Sequence, residues 1–215
     1  MLAVTRGSLV VRAEPEVLAG WKETFRQHHA LVWPGFLGAD LGALVRRRLA
    51  AAPFTTRHDG TREIEQQLDD PVLHGTLQAV LNDPALWRLV QDVTGCAALG
   101  GFSGRIYRRE ARGDGAHYFP WHSDTTDGRV VGFSLNLGEA GYDGGRLQIR
   151  EADTGHVLSD LAITGPGDAM IFRIAPGFEH QVTPVTGPVP RTVLAGWFRT
   201  GFDYWSAVAG PDTRS

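Results

Sequence analysis

The chain has 215 residues, of which 42% are hydrophobic and 21% are charged, so it is long enough to bury a core without cross-links from metals or disulfides. Its 21 Lys and Arg and 24 Asp and Glu give a formal net charge of -3, which argues against a phosphate-binding surface and therefore against nucleic acid as a partner. The only cysteine, Cys96, cannot form an intramolecular disulfide, and no stretch approaches the roughly 18 apolar residues of a membrane span. We therefore expect a cytoplasmic protein without a membrane partner.

The chain up to about residue 100 has helical periodicity. Apolar side chains recur on one helical face from Leu41 to Leu49, behind Asp40 as the predicted N-cap, and Pro53 marks the end of this helix. The polar and charged stretch from Thr55 to Asp69 follows it. This stretch is predicted to be an exposed loop or lid.

Two aspartate-proline pairs predict further helix starts. Asp70 precedes Pro71, and Asp83 precedes Pro84, which places a capping carboxylate directly before a proline in the first turn. Gly95 occupies the position of a left-handed residue after the second of these helices. We expect the helices of residues 1–100 to support a core formed by later residues.

After residue 100 the apolar period shortens to two and glycines become frequent, which is typical of short strands joined by turns. The predicted strands include residues 104–107, 130–137, 146–150, 169–172 and 192–198. Many short strands at near-regular spacing favour an antiparallel sandwich or barrel. We expect one domain over residues 1–215, with a β core at about 101–200 and a flexible tail at about 204–215.

Potential metal ligands are concentrated in this second half. His122 and Asp124 lie two residues apart, and on an extended chain such residues project to the same face. His180 follows from a distant strand, so two nitrogens and one oxygen would hold an ion on one side and leave its other positions open, as in non-haem Fe(II) oxygenases. Alone, a His-x-Asp sequence is also typical of a surface turn with a capping aspartate.

Arg191 lies eleven residues beyond His180 and opens an apolar, alternating strand. An arginine in this position needs an anionic partner if it is buried. The guanidinium group suits the far carboxylate of a dicarboxylic acid in two-point geometry.

In order and spacing these motifs resemble the Fe(II)/2-oxoglutarate-dependent oxygenases, specifically their prolyl-4-hydroxylase-like branch. The similarity runs from about Leu31 to Phe198 in five blocks: Leu31 to Ala52; Ile106-Tyr107 with His122-Ser123-Asp124; Leu135-Asn136-Leu137 with Gly144-Gly145-Arg146-Leu147; Pro166 to Phe172; and His180 to Val185 with Arg191 and Gly196-Trp197-Phe198. The resemblance implies an α+β, mainly β fold, in which a double-stranded β-helix (jelly-roll) core is buttressed by the N-terminal helices.

The resemblance also implies the site residues. It assigns His122, Asp124 and His180 to iron and Arg191 to the 5-carboxylate of 2-oxoglutarate. Tyr107 is implied as a hydrogen-bond donor to this co-substrate. Some relatives carry a tyrosine near the carboxylate where this chain has Phe133-Ser134, and either Ser134 or Thr192 is expected to supply the hydroxyl instead.

The activity implied is oxidation of a substrate C–H bond by O2, coupled to decarboxylation of 2-oxoglutarate to succinate and CO2, with ascorbate as an expected stimulant. Asp124 favours hydroxylation, because relatives that halogenate have a small residue in its place; desaturation and cyclisation remain open. The expected substrate is a small amino-acid-derived molecule, a peptide or a secondary metabolite. The alternatives are a cupin-like metalloprotein that does not use 2-oxoglutarate and a non-catalytic binding module, and the oligomeric state is undetermined.

Substrate specificity is expected to depend on two loops over the barrel mouth, residues 55–69 and 109–119, because loops on a rigid scaffold are free to vary. Their mixed charges favour a polar or zwitterionic ligand.

Overall fold

The computed structural model describes residues 2–5, 9–11, 14–59, 62–111, 119–163 and 165–209. The helices in these ranges are α1 (Pro15–His28), α2 (Ala39–Ala51), α3 (Pro71–Leu81), α4 (Pro84–Thr94) and α5 (Tyr204–Ala209). The strands are β1 (Leu2–Val4), β2 (Leu9–Val11), β3 (Ala30–Trp33), β4 (Phe54–Asp59), β5 (Arg62–Leu68), β6 (Gly101–Arg109), β7 (Phe119–His122), β8 (Arg129–Asn136), β9 (Leu147–Glu151), β10 (Val157–Leu161), β11 (Ala169–Arg173), β12 (Phe178–Val182) and β13 (Arg191–Arg199). Within these ranges, every helix is too short or too polar to cross a bilayer.

Most strands belong to two antiparallel sheets. The larger sheet has seven strands in the order β3-β11-β8-β13-β6-β5-β4, and the smaller has four in the order β10-β9-β12-β7. Strands distant in sequence are neighbours in both sheets, as expected when two sheets form a jelly roll. The predicted double-stranded β-helix with N-terminal helices is confirmed.

The larger sheet is buried on both faces, and β13 shows how. Leu194 and Phe198 belong to the apolar cluster that also contains side chains of α2, α3 and α4. Val193, Ala195 and Trp197 belong to a second cluster that includes side chains of the smaller sheet. Because successive residues of a strand face opposite sides, the helices cover one face and the smaller sheet covers the other.

The aspartates predicted to start α3 and α4 cap these helices. The Asp70 side chain accepts hydrogen bonds from the backbone N–H groups of Val72 and Leu73, and Asp83 accepts one from Ala85. Gly95 ends α4 in the left-handed conformation, with φ of 68°, which a glycine adopts without steric cost. These three predictions are confirmed.

The N-cap of α2 is Gly38 rather than the predicted Asp40. A Cβ at Gly38 would lie 2.9 Å from the Val4 carbonyl oxygen, and this oxygen accepts a hydrogen bond from the Gly38 N–H at 2.8 Å. Contact with β1 therefore requires glycine at the helix start. Asp40 lies in the first turn of the helix, where its charge is still favourable.

The predicted loop or lid at residues 55–69 is instead the hairpin β4–β5. β4 pairs with β5 over six residue pairs from Phe54↔Leu68 to Asp59↔Arg62, and β5 joins the larger sheet through Gln66↔Arg108 and Gln67↔Tyr107. The loop prediction was wrong because residues 55–67 are almost all polar or charged and show no apolar alternation. Among the described side chains of these residues, the charged Glu65 is buried and Arg57 lines a cavity.

The segment expected to be a flexible tail begins with α5. The Tyr204 N–H donates to the Gly100 carbonyl oxygen at 3.0 Å, and Trp205 Nε1 donates to the Asn82 carbonyl oxygen at 3.2 Å. These bonds tie α5 to the start of β6 and the end of α3. Residues 210–215 of the expected tail lie outside the described residues.

Candidate active site

A cavity of about 440 Å³ opens between the two sheets. Its walls include four arginines, Arg57, Arg105, Arg129 and Arg191, and the apolar side chains Leu147, Met170 and Phe172. The predicted metal ligands and the predicted co-substrate arginine line this same cavity. Of the loop expected to control specificity at 109–119, residues 112–118 lie outside the described residues.

The two histidines come from neighbouring strands of the smaller sheet. His122 ends β7 and lies directly opposite His180 of β12, so their ring centroids are 4.3 Å apart. His122 Nδ1 lies 2.7 Å from the Pro120 carbonyl oxygen; because a carbonyl oxygen only accepts, this nitrogen donates, and Nε2 is the ring nitrogen that faces Asp124. His180 is buried and packs against the Phe172 ring at 4.9 Å.

Asp124 completes a group of three possible metal ligands. Its Oδ2 lies 3.5 Å from His180 Nε2 and 3.9 Å from His122 Nε2, and one donor atom from each residue lies within 4.8 Å of the others. Two neighbours orient the carboxylate: Trp197 Nε1 donates to Oδ2 at 2.8 Å and Arg129 Nη1 donates to Oδ1 at 3.1 Å. His122, at the end of β7, and Asp124, just beyond it, therefore meet His180 of β12 at one point.

The protonation states of these groups suit a divalent cation. Burial raises the pKa of Asp124, but hydrogen bonds from His180 and Trp197 outweigh burial and lower this pKa to about 2. Burial lowers the pKa of His180 despite the opposing effect of Asp124, so the imidazole is neutral at pH 7. A carboxylate and a neutral imidazole are donor states that bind a metal ion, and the nitrogens of two histidines with one carboxylate oxygen fit ferrous iron.

Arg191 lies deeper in the cavity and is 3% exposed. Its Nη1 donates to the Tyr107 hydroxyl at 3.1 Å and its Nη2 donates to Ser134 Oγ at 3.2 Å, while its Nε has no hydrogen-bond partner among the described residues. Burial opposes its charge, but the phenol groups of Tyr107 and Tyr142 raise the pKa of Arg191 above its usual range. The guanidinium is therefore a permanent buried cation without a carboxylate partner in the described part of the chain, which fits an anionic ligand.

Thr192 does not join this group. Its hydroxyl accepts a hydrogen bond from Arg108 Nε at 3.3 Å, and it pairs with Arg108 on the face of β13 opposite to Arg191. Neighbouring residues of a strand cannot face the same cavity. Of the two hydroxyls expected beside Arg191, the structure therefore places Ser134 there, and the expectation for Thr192 is corrected.

Three site residues were not found by sequence reasoning. Trp197 lies six residues beyond Arg191 on the same strand face, so even spacing could have revealed it. Tyr142 is buried beside Arg191, and its hydroxyl makes no hydrogen bond of good geometry in the described residues. Gly145 has φ of 57°, and a Cβ there would lie 2.7 Å from Arg191 Cδ, so glycine leaves room for the guanidinium side chain.

The fold and the site together resemble those of non-haem iron oxygenases: a jelly roll whose cavity contains two imidazoles and one carboxylate near a buried guanidinium. Residues 106–199 match the family model of the 2OG-Fe(II) oxygenase superfamily. This segment contains the three possible metal ligands and Arg191. The match confirms the predicted resemblance and the predicted enzyme class, a 2-oxoglutarate-dependent dioxygenase with iron as cofactor.

Solved structures with the same fold cover nearly the whole chain. An oxidoreductase of the 2OG-Fe(II) oxygenase family from Burkholderia pseudomallei is 19% identical and matches 90% of this chain and 97% of its own, with a TM-score of 0.63. A prolyl-4-hydroxylase from Pseudomonas putida is 25% identical over 85% of this chain and 98% of its own, with a TM-score of 0.57. A prolyl hydroxylase from Trichoplax adhaerens, in complex with a hypoxia inducible factor peptide fragment, is 14% identical over 91% and 94% of the two chains, with a TM-score of 0.60. No curated protein matches the chain.

Proposed function

We propose that this dioxygenase hydroxylates an unactivated C–H bond of a small amino-acid-derived molecule, a peptide or a secondary metabolite. Bound iron supplies the oxidising chemistry, in which O2 and 2-oxoglutarate are consumed and succinate and CO2 are released. The observation that carries the proposal is the convergence of His122, Asp124 and His180 on one point in the cavity that also contains Arg191. A metal-binding barrel that does not use 2-oxoglutarate would give this buried guanidinium no role.

In this proposal the three convergent side chains hold the iron. The Pro120 carbonyl fixes the His122 ring so that Nε2 faces the metal, and Trp197 and Arg129 hold the carboxylate of Asp124. Such hydrogen bonds behind the ligands fix their orientation and tautomer. All the restraints come from strands or strand ends, which keeps the site rigid.

Arg191 binds the 5-carboxylate of 2-oxoglutarate in this proposal, and Tyr107 and Ser134 orient the guanidinium through its Nη atoms. The buried Tyr142 phenol also acts on Arg191 and raises its pKa, which keeps the guanidinium charged. A bidentate guanidinium-carboxylate pair in a water-excluded cavity is a strong interaction. It would fix the position of the co-substrate relative to the iron.

Two features support hydroxylation of a small molecule or peptide. Asp124 occupies the position where relatives that halogenate have a small residue, so a carboxylate takes the site that a halide would need. The cavity of about 440 Å³ lies within the range of pockets that bind small ligands or one side chain of a peptide. The prolyl hydroxylase from Trichoplax adhaerens, which has the same fold, was solved in complex with a peptide fragment.

The experiment is an anaerobic titration of the Fe(II)-loaded protein with 2-oxoglutarate, followed by the weak visible charge-transfer absorption of the chelate and by calorimetry. We expect a saturable band with a matching heat of binding. Absence of the band, with iron demonstrably bound, would refute the proposal.

Two variants separate the assigned roles. Arg191→Ala should lose co-substrate affinity while it retains iron, whereas Asp124→Gly should abolish hydroxylation while the fold, judged by circular dichroism, is retained. Equal 2-oxoglutarate affinity in Arg191→Ala and the parent would contradict the role of Arg191. Product formation by Asp124→Gly without added carboxylate would count against the metal site.

A further inference from the structure

The cavity wall formed by β4, β5 and β6 carries positively charged side chains that have no role in binding the metal or the co-substrate in the proposed function. Arg57 of β4 and Arg105 of β6 both line the cavity. They share one carboxylate: Arg57 Nη1 lies 3.4 Å and Arg105 Nε lies 2.6 Å from Glu65 Oε1. The two guanidinium groups are therefore neighbours on one wall.

Glu65 cannot neutralise both of them. Its other oxygen, Oε2, lies 3.4 Å from Nη2 of the buried Arg109, so one carboxylate faces three guanidinium groups. The Glu65 side chain is 0% exposed, so no additional cation from solvent or ligand can reach it. In the described part of the chain, this wall has more cations than anions.

The two cavity arginines can reach a ligand. The side chain of Arg57 is 48% exposed and that of Arg105 is 28% exposed, and the single contact of each with a carboxylate leaves other N–H groups without a described acceptor. Arg129, the third arginine near the mouth, is already paired with Asp124 at 3.1 Å and lies over the Trp197 ring at 3.8 Å. The unused donors on this wall therefore belong to Arg57 and Arg105.

This pair is separate from the site assigned to 2-oxoglutarate. Arg191 lies opposite Arg109 in the sheet, whereas Arg105 lies opposite Ala195, so the backbones of Arg191 and Arg105 are four residues apart along the strands, about 13 Å at ~3.3 Å per residue. Their guanidinium groups also have different partners, since Arg191 contacts Tyr107 and Ser134 and Arg105 contacts Glu65. A second anionic group is needed to use Arg57 and Arg105.

We propose that the substrate carries an oxyanion, a carboxylate or a phosphate group, which binds Arg57 and Arg105 while its reacting C–H bond lies towards the iron. The inference rests on the proposed function, because it places substrate and co-substrate in one cavity. A guanidinium pair on a partly buried wall binds oxyanions with charge-assisted hydrogen bonds. The same charge disfavours cationic substrates of equal size.

The test titrates two oxyanion probes, sulfate and acetate, into anaerobic protein saturated with Fe(II) and 2-oxoglutarate, with calorimetry as the readout. Saturating co-substrate occupies Arg191, so the probes report on a second site. We expect the parent to bind a probe. In Arg57→Gln and in Arg105→Gln the affinity for that probe should fall at least about tenfold, the loss typical of one charge-assisted hydrogen bond. The control is Arg146→Gln, because Arg146 is a surface arginine paired with Asp160 at 2.6 Å and does not line the cavity.

Each outcome decides the question. Tighter sulfate binding points to a phosphate-bearing substrate and tighter acetate binding to a carboxylate, and loss in the variants supports the inference in both cases. No binding of either probe, or equal binding in the parent and Arg57→Gln, overturns it. If Arg105→Gln does not fold, Arg57→Gln alone decides, because its exposed side chain makes only one long contact. If 2-oxoglutarate itself does not bind, the proposed function is wrong. If 2-oxoglutarate binds but neither probe does, only the inference of a second anion site is wrong.

Discussion

Replacement of Glu65 by glutamine tests whether the hairpin β4–β5 is held on the sheet by buried charge. The carboxylate is fully buried and contacts Arg105 at 2.6 Å and Arg109 at 3.4 Å. Glutamine has the same shape, but it removes the charge and places an N–H2 donor where one of the two oxygens was. The described apolar contacts of the hairpin would be unchanged.

The expected loss of stability follows from burial. Arg109 is 2% exposed, so its guanidinium would remain desolvated after its carboxylate neighbour is removed. Removal of one partner from a buried ion pair costs about 3–5 kcal/mol, and the remaining amide acceptor favours the lower end, about 3 kcal/mol. For a chain of this size, this loss lowers the melting temperature by about 6–12 °C.

The free energy of unfolding should be measured by urea denaturation of parent and variant from pH 7 to pH 3.5. Burial raises the pKa of Glu65, but Arg105 and the other arginines outweigh burial and lower it below the ordinary value of 4.5. A carboxyl group with a lowered folded pKa stabilises fully above its unfolded pKa, and this contribution is lost as the pH falls through the folded value. The difference between parent and variant should therefore be constant near pH 7 and shrink below about pH 4.5.

Glu179→Gln is the matched control. Glu179 contacts Arg150 at 2.6 Å, but both side chains are more than one quarter exposed, and pairs in contact with solvent contribute about 1 kcal/mol or less. Equal losses in Glu65→Gln and Glu179→Gln, without pH dependence in the former, would refute the argument that burial makes the Glu65 contacts strong.

Three further changes have definite expected outcomes. Trp197→Phe removes the hydrogen bond to Asp124 Oδ2 and should weaken Fe(II) affinity about 10–100-fold in a competitive metal titration; unchanged affinity would show that Trp197 only packs. Asp70→Ala should lower the free energy of unfolding by about 1 kcal/mol, and Asp70→Asn by less because the amide still caps α3. Hydrogen bonds from Arg48, and then from the backbone of α3, lower the pKa of Asp70 from an ordinary 3.8 to about 2, so the loss in Asp70→Ala should shrink as the pH falls from about 4 towards 2. Equal losses in the two variants would mean that the contact with Arg48 stabilises the chain and the cap does not. Gly145→Ala places a Cβ against Arg191 at a positive φ and should weaken 2-oxoglutarate binding in calorimetry while Fe(II) binding is retained; co-substrate affinity equal to the parent would mean that the guanidinium can shift freely.

Local signals in the sequence predicted the elements that depend on local chemistry. Asp70, Asp83 and Gly95 mark helix ends because capping needs only a side-chain acceptor or a positive φ within one turn. The shift to an apolar period of two after residue 100 predicted the strands because the alternation of faces along a strand is also a local property of the chain. The hairpin at residues 55–69 was missed because its residues are mostly polar or charged, so the usual apolar alternation is absent there.

From the sequence alone, strand periodicity predicted an antiparallel β core, and the resemblance to a known oxygenase family implied the double-stranded β-helix and the possible metal ligands, since both signals are properties of the chain. Only the tertiary structure decided which side chains meet. The pairing of β13 with β6 and β8 places Ser134 beside Arg191 and turns Thr192 away, and the pairing of β4, β5 and β6 buries Glu65 of β5 among three arginines from its two neighbouring strands. The physical reason is that strand register brings together residues far apart in sequence, and one step along a strand moves a side chain to the opposite face.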